Sequence, residues 1–470
     1  MGVVKNTGIL LISETIAKGI AFLLIPLYSY VIDPKDFGKI AILQLVFTGF
    51  FLIVSFSLKS TFDKFFFDNI NTSTKTLFSN VFALQGIAIV VGGFTYLLLK
   101  TIIVGLLEIN HPVYLDIVMI TAVCAVFFPI FNSYFICVGK VKKVGFYSIV
   151  ISLTRSVLAL MLVLKMEDKI LAVLAANFME HLLGFIISLP TYVKNTRLNL
   201  IKFKKIRELG VYSVHYFPTI LSNFVIKFSD RFMIQYMLGY QSLGVYSMGT
   251  RLVNIPGQFI STINKNFTPQ IYQSLQEVNG LKFNQLVRYF LVALFILLFS
   301  LILFSKEIFL LIGPEYKKAF VVFIFLCFSS YLNGYSLLIQ PVMTYFKEYV
   351  KRKSIIFMSV GAMNIILNLL FIPEYGINGA ALATIFSYLV AIPFNYFYTI
   401  KAFSANYYIQ WFFLSCIILL LSGLYMIFGH SQFSWIEFTL RMFLFLMTVY
   451  FFISKLVNLK DLIHKFSRNF

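Results

Sequence analysis

The sequence predicts an all-α integral membrane protein, and three observations carry that expectation. Of its 470 residues 59% are hydrophobic and only 12% charged, against about 45–50% and about 25% in soluble domains. The apolar residues come in blocks of about twenty, the length that crosses a hydrocarbon core of about 30 Å as a helix. Their separators are short glycine, proline and lysine segments such as "DPKDFG" and "YGING", and not the turns of ten-residue alternating barrel strands.

About fourteen spans follow in order. The first, Thr7–Ile32, reads as a retained helix because no small-residue cleavage site ends it, so the chain is expected to begin near Met1. Lys39–Leu58, Thr76–Leu99, Val113–Val138, Val144–Leu164 and Ile170–Pro190 complete a first group of six. After a basic interruption come Leu209–Met237, Leu243–Thr262, Gln285–Phe304, Ala319–Leu338, Ser354–Ile372 and Gly376–Thr399, and the chain closes with Tyr407–Phe428 and Phe433–Ser454.

Charge placement orients these spans. With both termini inside, about 24 of the 39 Lys and Arg residues fall in inner segments and roughly 8 in outer ones, as the positive-inside rule requires. The formal charge of +20 is therefore mostly topology, and with no basic folded domain a nucleic-acid partner is not expected. No outer loop is long enough for a catalytic domain, and no nucleotide loop, nucleophile elbow or metal-ligand spacing occurs, so an enzyme, a metal or a cofactor is not expected. Cys124, Cys137, Cys327 and Cys416 read as small core residues.

The two groups of six look like copies. Placing Glu167 over Glu374 aligns Ile170 with Ile377, Ala176 with Ala383 and Lys140 with Lys347, while "DPKDFGKIAI" overlies "YQSLGVYSMG" with Gly38 on Gly244. Two distant registrations agree within one residue, which predicts two pseudo-symmetric six-helix bundles in parallel orientation. The expected domains are residues 1–191, a basic cytoplasmic linker 192–208, residues 209–402, and two added helices with a basic tail over 403–470. Such a duplication is expected to enclose a polar cleft. The least apolar spans, one, seven and eight, carry Glu14, Lys18, Lys227, Asp230, Arg231 and Arg251.

The stretches "DPKDFGKIAILQ", "KFSDRFMIQYMLGYQSLGVYSMGTRLVNIP" and "NLLFIPEYGINGAALATIFSYLV" resemble the Wzx-type O-antigen and polysaccharide repeat-unit flippases of the MOP superfamily, which also holds the MATE exporters and lipid II flippases. Phe37 stands where that family commonly has Tyr before the glycine. The resemblance covers essentially the whole chain. It implies a MATE-like V-shaped fold in a bacterial cytoplasmic membrane, and transport of undecaprenyl-diphosphate-linked oligosaccharide for O-antigen, lipopolysaccharide, capsule or exopolysaccharide synthesis. Membrane lipids and other polysaccharide assembly proteins are the implied further partners.

A diphosphate headgroup crossing a bilayer needs fixed cations in a wet path. Lys227 and Arg231, four apart on one helix face, Lys18, Arg155 and Arg251 are the expected substrate-binding cations. Glu14, Asp230, Glu180 and His181 are the charge-pairing or ion-coupling candidates, with coupling to an H+ or Na+ gradient. The alternative for the Lys227–Asp230–Arg231 group is a structural salt bridge, and for Glu180 and His181 a satisfied buried pair. Arg288 and Arg441, near helix ends, read as interfacial anchors, and "YGINGAALA" as a tight outer turn followed by close helix packing. The rival to the flippase is a MATE-like cation-coupled exporter, whose organic-cation substrates favour carboxylates over the cations seen here.

Overall fold

The computed structural model describes residue 19 and residues 24–68, 73–109, 111–429 and 434–456. Among them there are helices and connections and no strand. Helical residues 24–31 (α1) lead into α2 (Pro34–Ser55), whose start is written locally: Asp33 Oδ1 accepts from the Asp36 amide at 2.9 Å and Pro34 occupies the first turn. Then follow α3 (Leu58–Asp68), α4 (Thr74–Leu106), α5 (Val113–Ala125), α6 (Phe127–Cys137), α7 (Val141–Lys165), α8 (Lys169–Asn195) and α9 (Phe203–Gln276). The remainder is α10 (Gly280–Leu303), α11 (Ser305–Leu310), α12 (Ala319–Tyr345), α13 (Lys347–Tyr375), α14 (Ile377–Ala402), α15 (Ile409–Phe428) and α16 (Trp435–Leu456).

Eleven helices among the described residues are long and apolar enough to cross a membrane. The charged α9 adds two arms, 203–238 and 240–276, on either side of Gly239 at φ 79°. That left-handed conformation costs glycine little and other residues much. At about 1.5 Å per residue, each arm of about 36 residues exceeds a bilayer core.

The described chain falls into two compact units, the first built on Val31–Phe232, the second on Met233 onward together with Ile25–Tyr30. In the first, α5 packs on α2 and α8, and α7 on α8. Fully buried Phe78 makes edge contacts with Phe62 at 5.1 Å, Tyr134 at 5.1 Å and Tyr192 at 5.7 Å, joining α3, α4, α6 and α8. The basic stretch between α8 and α9 is tied down beside this cluster. Asn80 of α4 donates through Nδ2 to the Leu200 carbonyl at 3.0 Å and accepts at Oδ1 from the Lys202 amide at 2.8 Å, while Ser79 Oγ accepts from the Arg197 amide at 2.8 Å. Asn80 is 1% exposed, so Asn80→Ala removes the partners of two half-buried backbone groups at a cost of about 1 kcal/mol each. Trypsin is expected to cut such a variant faster after Arg197 and Lys202, read by limited proteolysis against wild type; equal cutting rates would show that the tie does not hold the stretch.

In the second unit α12 packs on α14 and α10 on α12, α15 and α16. The turn at Gly376, φ 59°, joins α13 to α14, and a Cβ on Gly379 would lie 2.1 Å from the Phe371 carbonyl oxygen. Ala380, Ala381 and Ala383 are buried behind it. Here the tight turn and close small-residue packing read from "YGINGAALA" are both present. The C-terminal pair leans on the same unit, Phe295 stacking on Phe452 at 4.2 Å and Tyr335 on Phe412 at 4.1 Å.

Candidate functional site

An ionised side chain within an apolar helix is retained only with partners or water, because desolvation costs several kcal/mol per ion. The first unit contains such a place. Arg155 on α7 reaches across to Glu180 on the next helix, α8, with Nε and Oε2 3.3 Å apart and side chains 39% and 18% exposed. His181 follows on α8 and stacks its ring on Phe47 of α2, centroids 5.1 Å apart.

These groups line one cavity of about 220 Å³ inside the first unit, between α2, α5, α7 and α8. Helical periodicity assembles it: Asn177 and His181 are four apart on α8, and Gln44 and Thr48 four apart on α2. Thr48 Oγ1 donates to the Gln44 carbonyl at 2.8 Å and Thr121 Oγ1 to the Ile117 carbonyl at 2.6 Å, leaving acceptor lone pairs on both oxygens. The cavity thus offers a guanidinium, a carboxylate, an imidazole, two amides and two hydroxyls. Arg155, Glu180 and His181, three sequence-derived candidates, meet in it. Arg155 joins Glu180 as an ion pair, so the cation expected for substrate and the carboxylate expected for coupling share one interaction.

Lys227, Asp230, Arg231 and Arg251 lie along α9. Asp230 Oδ1 accepts from the Arg231 amide at 2.8 Å, and the Arg231 guanidinium lies 5.1 Å from the centroid of Phe228; both side chains are half-buried. Arg251 is half-buried on the second arm. Glu14 and Lys18 lie outside the described residues, as does the Lys227 side chain. Among the described residues, no group of three or more His, Cys, Asp or Glu is placed to hold a metal.

Arg441 corrects the sequence reading. It is 4% exposed and not an interfacial anchor. Its Nη1 donates to the Leu303 carbonyl at 2.8 Å and Glu307 Oε2 at 3.0 Å, and its Nη2 to Glu307 Oε1 at 2.5 Å, a two-point guanidinium–carboxylate pair joining α16 to α10 and α11. Glu437 stands 3.7 Å from Arg441 Nε and accepts from Lys306 at 3.1 Å and from the Tyr425 hydroxyl at 3.3 Å. One signal was available in the sequence: Glu437 and Arg441 are four apart on a helix otherwise apolar.

Residues 3–275 match the family described as polysaccharide biosynthesis protein. Over 407 residues, 81% of this chain and 95% of the relative, the sequence is 24% identical to an uncharacterized membrane protein of Haemophilus influenzae. It is 25% identical over 174 residues to the capsular polysaccharide biosynthesis protein CapF of Staphylococcus aureus, covering 36% of this chain and 44% of that one. Among solved structures, the lipid II flippase MurJ in its inward closed conformation superposes with a TM-score of 0.73 at 14% identity, covering 95% of this chain and 99% of MurJ. An inward-facing multidrug resistance MATE family transporter of the MOP superfamily gives 0.61 at 13% identity, over 82% and 95% of the two chains. The fold is that shared by these transporters.

Proposed function

The chain belongs to the polysaccharide biosynthesis protein family, and we propose that it is a flippase for undecaprenyl-diphosphate-linked oligosaccharide repeat units. In this reading it moves them from the cytoplasmic to the outer leaflet of a bacterial cytoplasmic membrane, supplying O-antigen, capsule or exopolysaccharide assembly. The observation that carries the reading is the set of ionised groups set within spans: Arg155 with Glu180 in a polar cavity, and Asp230, Arg231 and Arg251 along α9. Cations outnumber carboxylates among the candidates, which matches an anionic cargo. The names of two similar proteins, a lipid II flippase and a capsular polysaccharide biosynthesis protein, agree with that class of cargo.

The mechanism is alternating access. Guanidinium forks meet diphosphate oxygens two at a time, the amides and hydroxyls of the cavity meet sugar hydroxyls, and the polyprenyl tail stays in lipid. Membrane potential drives a net anion outward at about 2.3 kcal/mol per charge per 100 mV. An H+ or Na+ gradient resets the cycle through Glu180 and His181, the carboxylate and imidazole of the cavity.

Deleting the protein and analysing lipid extracts by mass spectrometry tests the reading. Accumulation of an undecaprenyl-diphosphate oligosaccharide with loss of surface glycan is expected, and joint alanine replacement of Lys227, Arg231 and Arg251 is expected to reproduce it. Unchanged lipids and glycan with raised sensitivity to cationic compounds would replace it by a MATE-like exporter.

A further inference from the structure

The antiparallel pair α13 and α14 differs at its two ends. Near the Gly376 turn the backbones almost touch at Gly379. Toward the other end the helices enclose a slot of about 260 Å³. Its walls include Ile355, Val390 and Phe394, 48%, 46% and 54% exposed, over a floor formed by buried Ile356. At its mouth the Arg352 guanidinium lies 5.7 Å from the ring centroid of Tyr398. No carboxylate of the described residues lies within ion-pair distance of Arg352. Lys351 and Lys353 flank it in sequence, and Lys401 closes α14 nearby, where the Tyr349 hydroxyl donates to its carbonyl at 3.4 Å.

We propose that this slot holds an anionic glycerophospholipid of the cytoplasmic leaflet, its phosphate on Arg352 and one acyl chain between α13 and α14. Three features converge on that occupant. The slot runs from Arg352 to Met363 on α13, eleven residues or about 16 Å at 1.5 Å each, which is about half of a 30 Å hydrocarbon core. Its charged end belongs to a Lys and Arg cluster that the positive-inside distribution places at the cytoplasmic face, where anionic lipids raise the local attraction for basic residues. Its chemistry changes from guanidinium and phenol at the mouth to a mostly apolar interior, the order in which a phospholipid presents phosphate and chain; the hydroxyls of Ser359 and Ser387 interrupt that interior, the latter donating to the Ala383 carbonyl at 2.6 Å. An undecaprenyl tail overruns a one-leaflet slot several-fold. The site stands on its own residues and does not rest on the transport reading.

The full chain, delipidated in detergent, is titrated with dioleoyl-phosphatidylglycerol, dioleoyl-phosphatidylcholine and undecaprenyl phosphate, and adducts are counted by native mass spectrometry. Wild type is expected to retain phosphatidylglycerol at least about fivefold more strongly than phosphatidylcholine, the discrimination that about one cation–anion contact at a membrane surface provides. R352Q is expected to abolish that preference and R352K to keep part of it, since the charge survives without the fork. S359W fills the slot with Arg352 intact and is expected to reduce both phospholipid adducts. Equal retention of the two phospholipids, or a preference that survives R352Q in a variant of wild-type melting temperature, overturns the proposal. Displacement of phosphatidylglycerol by an equal concentration of undecaprenyl phosphate also overturns it, reassigning the slot to a polyprenyl tail.

Discussion

Replacing Arg441 with alanine is expected to destabilise the second unit by about 3–5 kcal/mol, the cost of removing one partner from a buried pair. The size follows from what is left behind. Arg441 is 4% exposed and Glu307 21%, and the two share hydrogen bonds of 3.0 and 2.5 Å. Without the guanidinium, Glu307 and Glu437 both lose a counter-charge, and the Leu303 carbonyl at the end of α10 loses its donor. Among the described residues of these elements, Lys306, 3.1 Å from Glu437, is the cation that remains in ion-pair distance. Because α15 and α16 rest on α10, the loss is expected to loosen the C-terminal helices first. Thermal unfolding in detergent reads it directly. The double variant R441M/E307M, which removes both charges and keeps volume, is expected to recover most of the stability, since a well-packed apolar pair is often neutral relative to a buried ion pair. A loss under about 1 kcal/mol for Arg441→Ala would return this residue to the class of solvated surface pairs.

That residue marks where the sequence stopped being readable. Span length, glycine turns and lysine-bearing loops are local signals, and α2, α4, α7, α8, α10 and α12 to α16 lie where apolar blocks were read. Burial of Arg441 is not local: its partner Glu307 is far away in sequence, and nothing in either neighbourhood states that α10 and α16 pack together. The same holds for the cavity in the first unit. Arg155 and Glu180 were legible as charges at mid-depth, yet they were assigned different roles, because their pairing depends on the register between α7 and α8. Between the expected spans Lys39–Leu58 and Thr76–Leu99 the sequence offers no apolar block, and the structure has α3 there. The structure shows Lys59 paired with Asp63 at 2.8 Å, and Lys64 4.3 Å from the centroid of Tyr212, so its charges line an amphipathic helix. At Gly239 a single residue replaces the loop that the gap between spans seven and eight implied.

The second large effect concerns that first cavity, and it separates a working site from a structural pair. If the chain is the flippase proposed above and Arg155 meets its cargo, Arg155→Ala is expected to slow delivery of lipid-linked oligosaccharide to the outer leaflet by about 10- to 100-fold, because a hydrogen bond to a charged group contributes about 1.5–3 kcal/mol. Taken alone, such a loss is ambiguous, since it also leaves Glu180 without its counter-ion 3.3 Å away. Reversing the pair resolves the ambiguity. R155E with E180R keeps both charges, the cross-helix distance and the net charge of the cavity, and exchanges which helix presents the guanidinium to Gln44, Asn177 and His181. If the pair only joins α7 to α8, the reversed protein regains both wild-type melting temperature and wild-type surface glycan. If Arg155 meets the cargo, the reversed protein regains its melting temperature while delivery stays depressed, because the fork now starts from α8 and approaches from the wrong side. The rate of appearance of labelled oligosaccharide in the outer leaflet, measured beside thermal unfolding of the same preparations, distinguishes these results, and full recovery of both would remove Arg155 and Glu180 from the transport path.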